Sequence, residues 1–489
     1  LATIISTALT FLVLEPFPHI EDEAAYYFQA RIFASGHLFA PAPASPEFFP
    51  SSWMMLHGGR WFSVFPPGWP LLLAIGMKVG APALVNPVLT GLCVLVMYGL
   101  IREMYDTERA RWGVVLCVVS PFLLFMGGSF MSHTALLLFT ALSTLCQVKG
   151  TRTNGLGWFL AAGLSAGCAL LIRPLDAFAI WGGQTVYALW VGRLRHLKGL
   201  ALSVAGLMLG AALYSAYNRV LVGEWLQAPL LMMNYAYRMG FGSDIGVNWE
   251  TFDTPGHNPW RALINLNFNM AVMSQDLFGW PLSSLFFVIV FWVFGRMSAA
   301  HRLSAAITAS VAVAYGLFWY HGVCFGARFY FCLLPHLVVF SIDGIRRLPQ
   351  VLAEYVTRVR EPLLASMVGA SVLLSSAFGW LVYVPKVSLL GPYHNQRGIN
   401  SGLYDFVKRE GITSGIVFVQ ASRGYLFSTG FIANELPLGS GLLLFALDRG
   451  DANSRLINRF PGRAVYRFRY EPEPNPYQAS LDRLIQLSD

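Results

Sequence analysis

The chain has 489 residues, of which 55% are hydrophobic and only 12% charged, with a net charge of +8. That charged share is about half of what soluble domains carry, and a water-soluble chain of this length cannot hide so much apolar surface in its own cores. The basic residues sit in short loops between apolar runs, which is an orientation signal of membrane proteins and argues against a nucleic-acid-binding stripe.

Taken in order, apolar runs at 1–14, 82–101, 112–128, 131–148, 156–173, 175–192, 199–218, 277–295, 303–320, 327–345 and 362–384 predict eleven membrane spans. The first run is short for a span of about 20 residues, and N-terminal sequence is expected before Leu1. The six cysteines (Cys93, Cys117, Cys146, Cys168, Cys324 and Cys332) lie in apolar runs without metal-ligand spacing and predict no disulfide framework.

Every second loop is basic: Arg102, Arg109 and Arg111; Lys149 and Arg152; Arg193, Arg195 and Lys198; Arg296 and Arg302; Arg346, Arg347, Arg358 and Arg360. Short loops rich in Lys and Arg stay cytoplasmic. The opposite, extracytoplasmic side then receives a loop of residues 15–65, an aromatic and polar stretch at 219–276, tight turns near 128–131, 173–174 and 321–326, and the tail at 386–489. Residues 66–80 are apolar but too short to span and predict an interfacial or re-entrant helix. In the tail, 411–420, 441–448 and 464–470 look like strands and 451–460 like a helix, predicting a small α/β domain. The expected division is a transmembrane domain over 1–385, with 15–80 as its first outer loop, and a soluble extracytoplasmic domain over 386–489.

The first outer loop holds His19-Ile-Glu21-Asp22-Glu23, followed by the amphipathic stretch Ala24 to Ser35. Carboxylates suit the positive end of a helix dipole, and plain capping by Asp22 is the simplest reading. Three adjacent acids exceed what a cap requires. His19, Glu21 and Asp22 also form a possible divalent-cation set. Arg173 and Arg328 interrupt apolar sequence at the edges of predicted spans, where an arginine costs up to about 3 kcal/mol on insertion scales. Their ordinary role would be to snorkel to lipid headgroups; two-point capture of a phosphate is the functional alternative. His133, Tyr320 and His321 stand at outer turns, and Arg238 lies in the stretch 219–276, where aromatics and amides suit sugar faces and equally an aromatic belt. His336 lies inside a span and reads as a packing histidine.

The acidic pair Asp22-Glu23 opening a helix in the first outer loop resembles the GT-C glycosyltransferases, among them protein O-mannosyltransferases and the lipid A aminoarabinose transferase. Phe65-Pro-Pro-Gly-Trp-Pro70 is similar to the second interfacial helix of such enzymes. Phe325-Gly-Ala-Arg-Phe-Tyr330 with Leu334-Pro335, and Pro461-Gly-Arg-Ala-Val-Tyr466 in the tail, resemble the bacterial branch. The resemblance implies an all-α polytopic GT-C fold with interfacial helices and a small α/β tail domain. It also implies inverting sugar transfer from a polyprenyl-phosphate donor to a glycan, lipid or protein hydroxyl at the outer face of a bacterial-type inner membrane. Asp22 would be the general base and Glu23 its support. Arg173 and Arg328 would hold the phosphate, with His133, Tyr320, His321 and Arg238 toward sugar or acceptor. No cofactor is required by the mannosyl and aminoarabinosyl relatives, whereas oligosaccharyl transferases use a divalent cation. The rival readings are a transporter or flippase, which predicts mid-membrane polar groups and often repeated halves, and a non-catalytic export partner for lipid-linked saccharides, which needs no acidic triplet in the first loop.

Overall fold

The computed structural model describes residues 1–248, 253–356, 359–389, 399, 401–421, 427–472 and 479–486. Trp249 and Glu250, which belong to the aromatic and polar stretch 219–276, and Arg358 of the basic loops lie outside the described residues. All eleven apolar runs contain helix: α1 (Ala2–Leu12), α4 (Val85–Met104), α5 (Thr107–Val118) with α6 (Pro121–Gly128), α7 (His133–Thr153), α8 (Leu156–Ile172), α9 (Pro174–Gly192), α10 (Leu197–Val222), α13 (Phe286–Phe294), α14 (Ala299–Gly316), α15 (Leu334–Tyr355) and α16 (Glu361–Phe378). Between and after them come α2 (Glu21–Ala34), α3 (Gly68–Lys78), α11 (Pro229–Met233), α12 (Pro259–Asp276), α17 (Val384–Leu389), α18 (Gly402–Arg409), α19 (Ser428–Ala433) and α20 (Asn453–Arg459).

Among the described residues four helical stretches are long and apolar enough to cross a membrane, namely Pro82–Met104, Leu197–Val222, Arg328–Tyr355 and Glu361–Leu389. The run 112–128 is bent by 60° between α5 and α6. Pro121 removes a helix donor there, and the Ser120 hydroxyl caps α6 through the Leu123 amide while donating to the Leu277 carbonyl at 2.6 Å. The run 277–295 is helical only over the nine residues of α13, Phe286–Phe294. The residues before it turn about Gly279, where an added Cβ would meet the Tyr383 ring at 2.8 Å.

The loop after α1 holds more than the expected helices. Strands β1 (Ala40–Pro41), β2 (Met54–His57) and β3 (Arg60–Ser63) form an antiparallel sheet in the order β1-β3-β2. Helix α3 keeps an exposed apolar row, Leu71, Ile75 and Val79, as an interfacial helix should. Helix α2 does not. One of its faces (Tyr26, Ala30, Phe33) belongs to the core of the helical bundle. The other (Ala24, Ala25, Phe28, Ile32) shares a second core with Leu403, Phe431, Phe445 and Phe468 of the tail. The apolar face expected to lie along the membrane is therefore covered by protein.

The tail forms a sheet in the order β5-β4-β6-β7, from β4 (Gly415–Gln420), β5 (Leu443–Leu447), β6 (Val465–Pro472) and β7 (Ala479–Gln486). Strand β4 is buried along most of its length and pairs in parallel with β5 and β6, as its continuous apolar sequence predicts. The β7 strand was not foreseen. The tail is fastened to α2 by Arg31, whose Nη1 donates to the carbonyls of Ile432 (2.8 Å) and Asn434 (2.5 Å).

Candidate active site at the start of helix α2

Ile20 is the extended residue before α2 and no side chain caps the helix, so Asp22 is not a capping residue. Its carboxylate is partly exposed and meets Arg328: Nη1 lies 3.4 Å from Oδ2, across 306 positions of sequence. Arg328 begins the short 3-10 turn Arg328–Leu333 that leads into α15. It is aimed by a strained loop in which Phe325 takes φ +52° and Gly326 φ +83°, a left-handed conformation that a non-glycine residue adopts at a cost. The Arg328 Nε donates to the Gly322 carbonyl at 2.9 Å.

Arg173 sits between α8 and α9, where Pro174 starts the new helix. Helix α3 packs close against this point: a Cβ at Gly68 would stand 2.7 Å from the Leu171 carbonyl oxygen. The Arg173 Nε donates to Asp176 Oδ2 (2.8 Å) and Nη2 to the Tyr315 hydroxyl (3.1 Å), which itself donates to Asp176 (2.7 Å). Nη1 of Arg173 has no partner among the described residues. Both arginines converge on one ring, with Cζ of Arg173 at 5.2 Å and of Arg328 at 5.4 Å from the Phe329 centroid.

Glu23 is buried and fully occupied. Its Oε2 accepts the His19 amide at 2.7 Å and its Oε1 the Phe130 amide at 2.9 Å. It therefore ties α2 to the turn before α7. Burial pushes its carboxyl up to about 8, against the pull of those two amides. Tyr26 stands one helical turn after Asp22, on the same side of α2. Burial holds its hydroxyl up at about 12; the Asp22 charge pushes the same way, while Arg173 and Arg328 pull it back. That set of neighbours locates Tyr26 among all three groups.

His133, the first residue of α7, is buried, and neither of its ring nitrogens has a partner among the described residues. Leaving one buried polar atom unpaired costs about 1–3 kcal/mol. Tyr320 and His321 lie on the loop leading to Arg328, Tyr320 6.4 Å from the Phe329 ring centroid. The His321 Nδ1 accepts the Val323 amide at 3.0 Å. Asn265 and Asn269 of α12 hold this loop through the carbonyls of Trp319 (3.0 Å) and His321 (2.8 Å), so these amides serve the scaffold. Arg238 is not brought to Asp22. It pairs with Asp244 at 2.5 Å and stacks on Tyr235 within its own loop.

The metal set does not assemble either. His19 directs Nδ1 to the Ile399 carbonyl (3.0 Å) and Nε2 to the Leu14 carbonyl (2.5 Å). No group of three His, Cys, Asp or Glu residues could hold a metal ion among the described residues.

Sequence reasoning missed Asp176 and Tyr26. The available signals were spacings: Arg173 to Asp176 is i, i+3 across a helix start, and Asp22 to Tyr26 is i, i+4 on one helix.

A family model described as dolichyl-phosphate-mannose-protein mannosyltransferase matches residues 65–217, a segment that includes His133 and Arg173 but neither Asp22 nor Arg328. No curated protein sequence matches the chain. Among solved structures, the chain is similar to ArnT from Cupriavidus metallidurans in the apo state, at 12% identity and TM-score 0.55, covering 96% of this chain and 92% of that one. ArnT bound to undecaprenyl phosphate aligns over the same shares at 11% identity and TM-score 0.54. The archaeal oligosaccharyltransferase AglB from Archaeoglobus fulgidus, in complex with an inhibitory peptide and a dolichol-phosphate, aligns at 11% identity and TM-score 0.50, over 96% of this chain and 68% of that one. The chain therefore has the fold of the ArnT and AglB structures, and over residues 65–217 it resembles the protein mannosyltransferases.

Proposed function

We propose that the chain is an inverting glycosyltransferase that moves a sugar from a polyprenyl-phosphate donor to an acceptor hydroxyl at the outer face of a bacterial-type inner membrane. The observation that carries this reading is the meeting of Asp22 with Arg328, 306 positions apart, beside Arg173. Asp22 takes the proton of the acceptor hydroxyl as that oxygen attacks the anomeric carbon. The bond from that carbon to the phosphate oxygen breaks, its electron pair leaves with the phosphate, and the configuration inverts. A positioned carboxylate is needed because an alkyl hydroxyl is a poor nucleophile at neutral pH.

The 3.4 Å Asp22–Arg328 contact is longer than an ordinary N–H···O bond of about 2.7–3.2 Å. A phosphate therefore displaces it at small cost, and Asp22 is released as a base when the donor arrives. Arg173, already oriented by Asp176 and Tyr315, presents its open Nη1 to the same phosphate. His133 supplies one further N–H, and the Tyr26 hydroxyl orients the sugar or phosphate. Tyr320 and His321 border the acceptor side. Relatives of this fold have been solved with undecaprenyl phosphate and with a dolichol-phosphate, which supports a lipid-phosphate donor here.

Under this reading the eleven apolar runs all cross the membrane, with the Asp22 site and the 386–489 tail outside. The tail holds α2, and hence Asp22, in place. Transfer under this reading uses no divalent cation. The test is transfer from a purified polyprenyl-phosphate sugar. Asp22→Asn should lower turnover by about 10²–10⁴-fold with the carrier still bound, and a chelator should leave wild-type turnover unchanged. Undiminished turnover in Asp22→Asn would overturn the mechanism.

A further inference from the structure

One apolar cavity, of about 450 Å³, does not lie beside Asp22. It is a groove between α9 and α14, lined by Val186, Tyr187, Trp190, Met297, Arg302 and Ala309, among other residues. These two helices begin and end at the Arg173–Asp176–Tyr315 network. At about 1.5 Å per residue, Trp190 lies about 24 Å along α9 from that network and Arg302 about 20 Å along α14. With a hydrocarbon core about 30 Å thick, the groove faces the leaflet opposite the Asp22 site. Its volume falls within the range of small-molecule sites, about 300–1,000 Å³. Its rim is open, with Val186 64% and Trp190 61% exposed.

The mouth of this groove is cationic. The Arg302 guanidinium sits 5.2 Å over the Trp190 ring. Arg296, one residue before the lining Met297, is exposed. Neither arginine has a carboxylate partner among the described residues. Four other arginines at this end do, Arg109 with Asp343, Arg152 with Glu103, Arg346 with Glu108 and Arg347 with Glu354, whereas Arg102, Arg111 and Arg195 also have no carboxylate among the described residues but do not line the slot. An apolar slot of this size, open to lipid and closed at the headgroup level by a stacked guanidinium without an anion, has the complementarity of a phospholipid with net negative charge.

We infer that the α9–α14 groove binds one anionic phospholipid of the leaflet opposite the Asp22 site. An acyl chain lies against Val186, Tyr187 and Ala309, and the phosphate lies on Arg302. A zwitterionic lipid carries its own ammonium and gains less from that arginine. The site requires only that the chain spans a membrane, so it stands or falls apart from sugar transfer.

Native mass spectrometry of the full chain in detergent, titrated with phosphatidylglycerol or phosphatidylethanolamine, tests this directly. The wild type should retain one phosphatidylglycerol at least about tenfold more tightly than phosphatidylethanolamine. Arg302→Gln should abolish that preference. Ala309→Trp, at an exposed lining position, should remove the bound lipid without lowering Tm. Arg111→Gln, an exposed arginine away from the groove, should change neither. Equal retention of the two lipids by the wild type, an unchanged preference in Arg302→Gln, or a prenyl phosphate as the species displaced by Ala309→Trp would each overturn the assignment.

Discussion

Two arginine–aspartate contacts, one at Arg328 and one at Asp343 farther along in α15, are built differently. At the far end Asp343 receives Arg109 Nε at 2.6 Å on one oxygen and His301 Nε2 at 2.7 Å on the other. Arg109 also reaches Asp106, and the His301 ring closes a capping box with Ser298. At the near end, among the described residues, Asp22 has a single ion pair, with Arg328 at 3.4 Å. Within the same set Arg173 Nη1 has no partner beside its paired Nε and Nη2, and both nitrogens of His133 are unpaired. The same residue types thus form a saturated knot joining α5, α14 and α15, and an unsaturated cluster around α2. Saturation suits a structural joint, since breaking a buried pair costs about 3–5 kcal/mol. Open valences at buried atoms lower stability until something fills them.

The sharpest way to break this comparison is to exchange the lesion between the two aspartates. Asp22→Asn should cost turnover about 10³-fold while Tm moves little. Asp343→Asn should do the reverse: about 3 kcal/mol of stability lost, with turnover per folded molecule kept. A thermal melt and a turnover assay on both variants give the four values. A large fall in Tm for Asp22→Asn would erase the distinction.

Arg328→Lys comes next. A lysine keeps the charge but cannot grip a phosphate at two points. Donor KM should rise about tenfold, the equivalent of ~1.4 kcal/mol, with Tm almost unchanged. His133→Phe tests the unpaired valences from the other side. Removing two unsatisfied buried nitrogens should stabilise the donor-free protein by about 1 kcal/mol and weaken donor binding. A destabilised variant with unchanged binding would make His133 a packing residue.

Much of the near cluster was legible in the sequence, for a physical reason. Asp22, Glu23, Arg173 and Arg328 are charges at the borders of apolar runs, and a charge there stands out against hydropathy. What stayed hidden were the partners. Asp176 falls inside an apolar run and is noticed only once Arg173 is seen to need neutralising. Glu23 looks like a second acid of the site until the amides of His19 and Phe130 are found on it. The far knot was invisible because Arg109, His301 and Asp343 come from three helices, none of them at a sequence motif. The amphipathic face of α2 was read correctly as apolar but assigned to the membrane. Its cover, Phe431 and the tail sheet, lies some four hundred positions away, and periodicity reports that a face is buried without saying by what.

The smallest expected effect concerns Glu23, which belongs to the near end by position and to the far end by behaviour. Burial raises its carboxyl from 4.5 to about 8, so the folded chain holds a proton that the unfolded chain releases between those values. The sign follows: the contribution to stability is fully present below pH 4.5 and is lost as pH rises toward 8. The slope is at most about 1.4 kcal/mol per pH unit, and the two amides, which favour the carboxylate, make it shallower. Glu23→Gln removes the titration while keeping one acceptor oxygen, so the decline of Tm between pH 5 and 8 should flatten by this amount. An unchanged slope would mean that Glu23 is ionised throughout, with the amides outweighing burial. Glu23→Gln would then differ from wild type only by one lost hydrogen bond, at every pH alike.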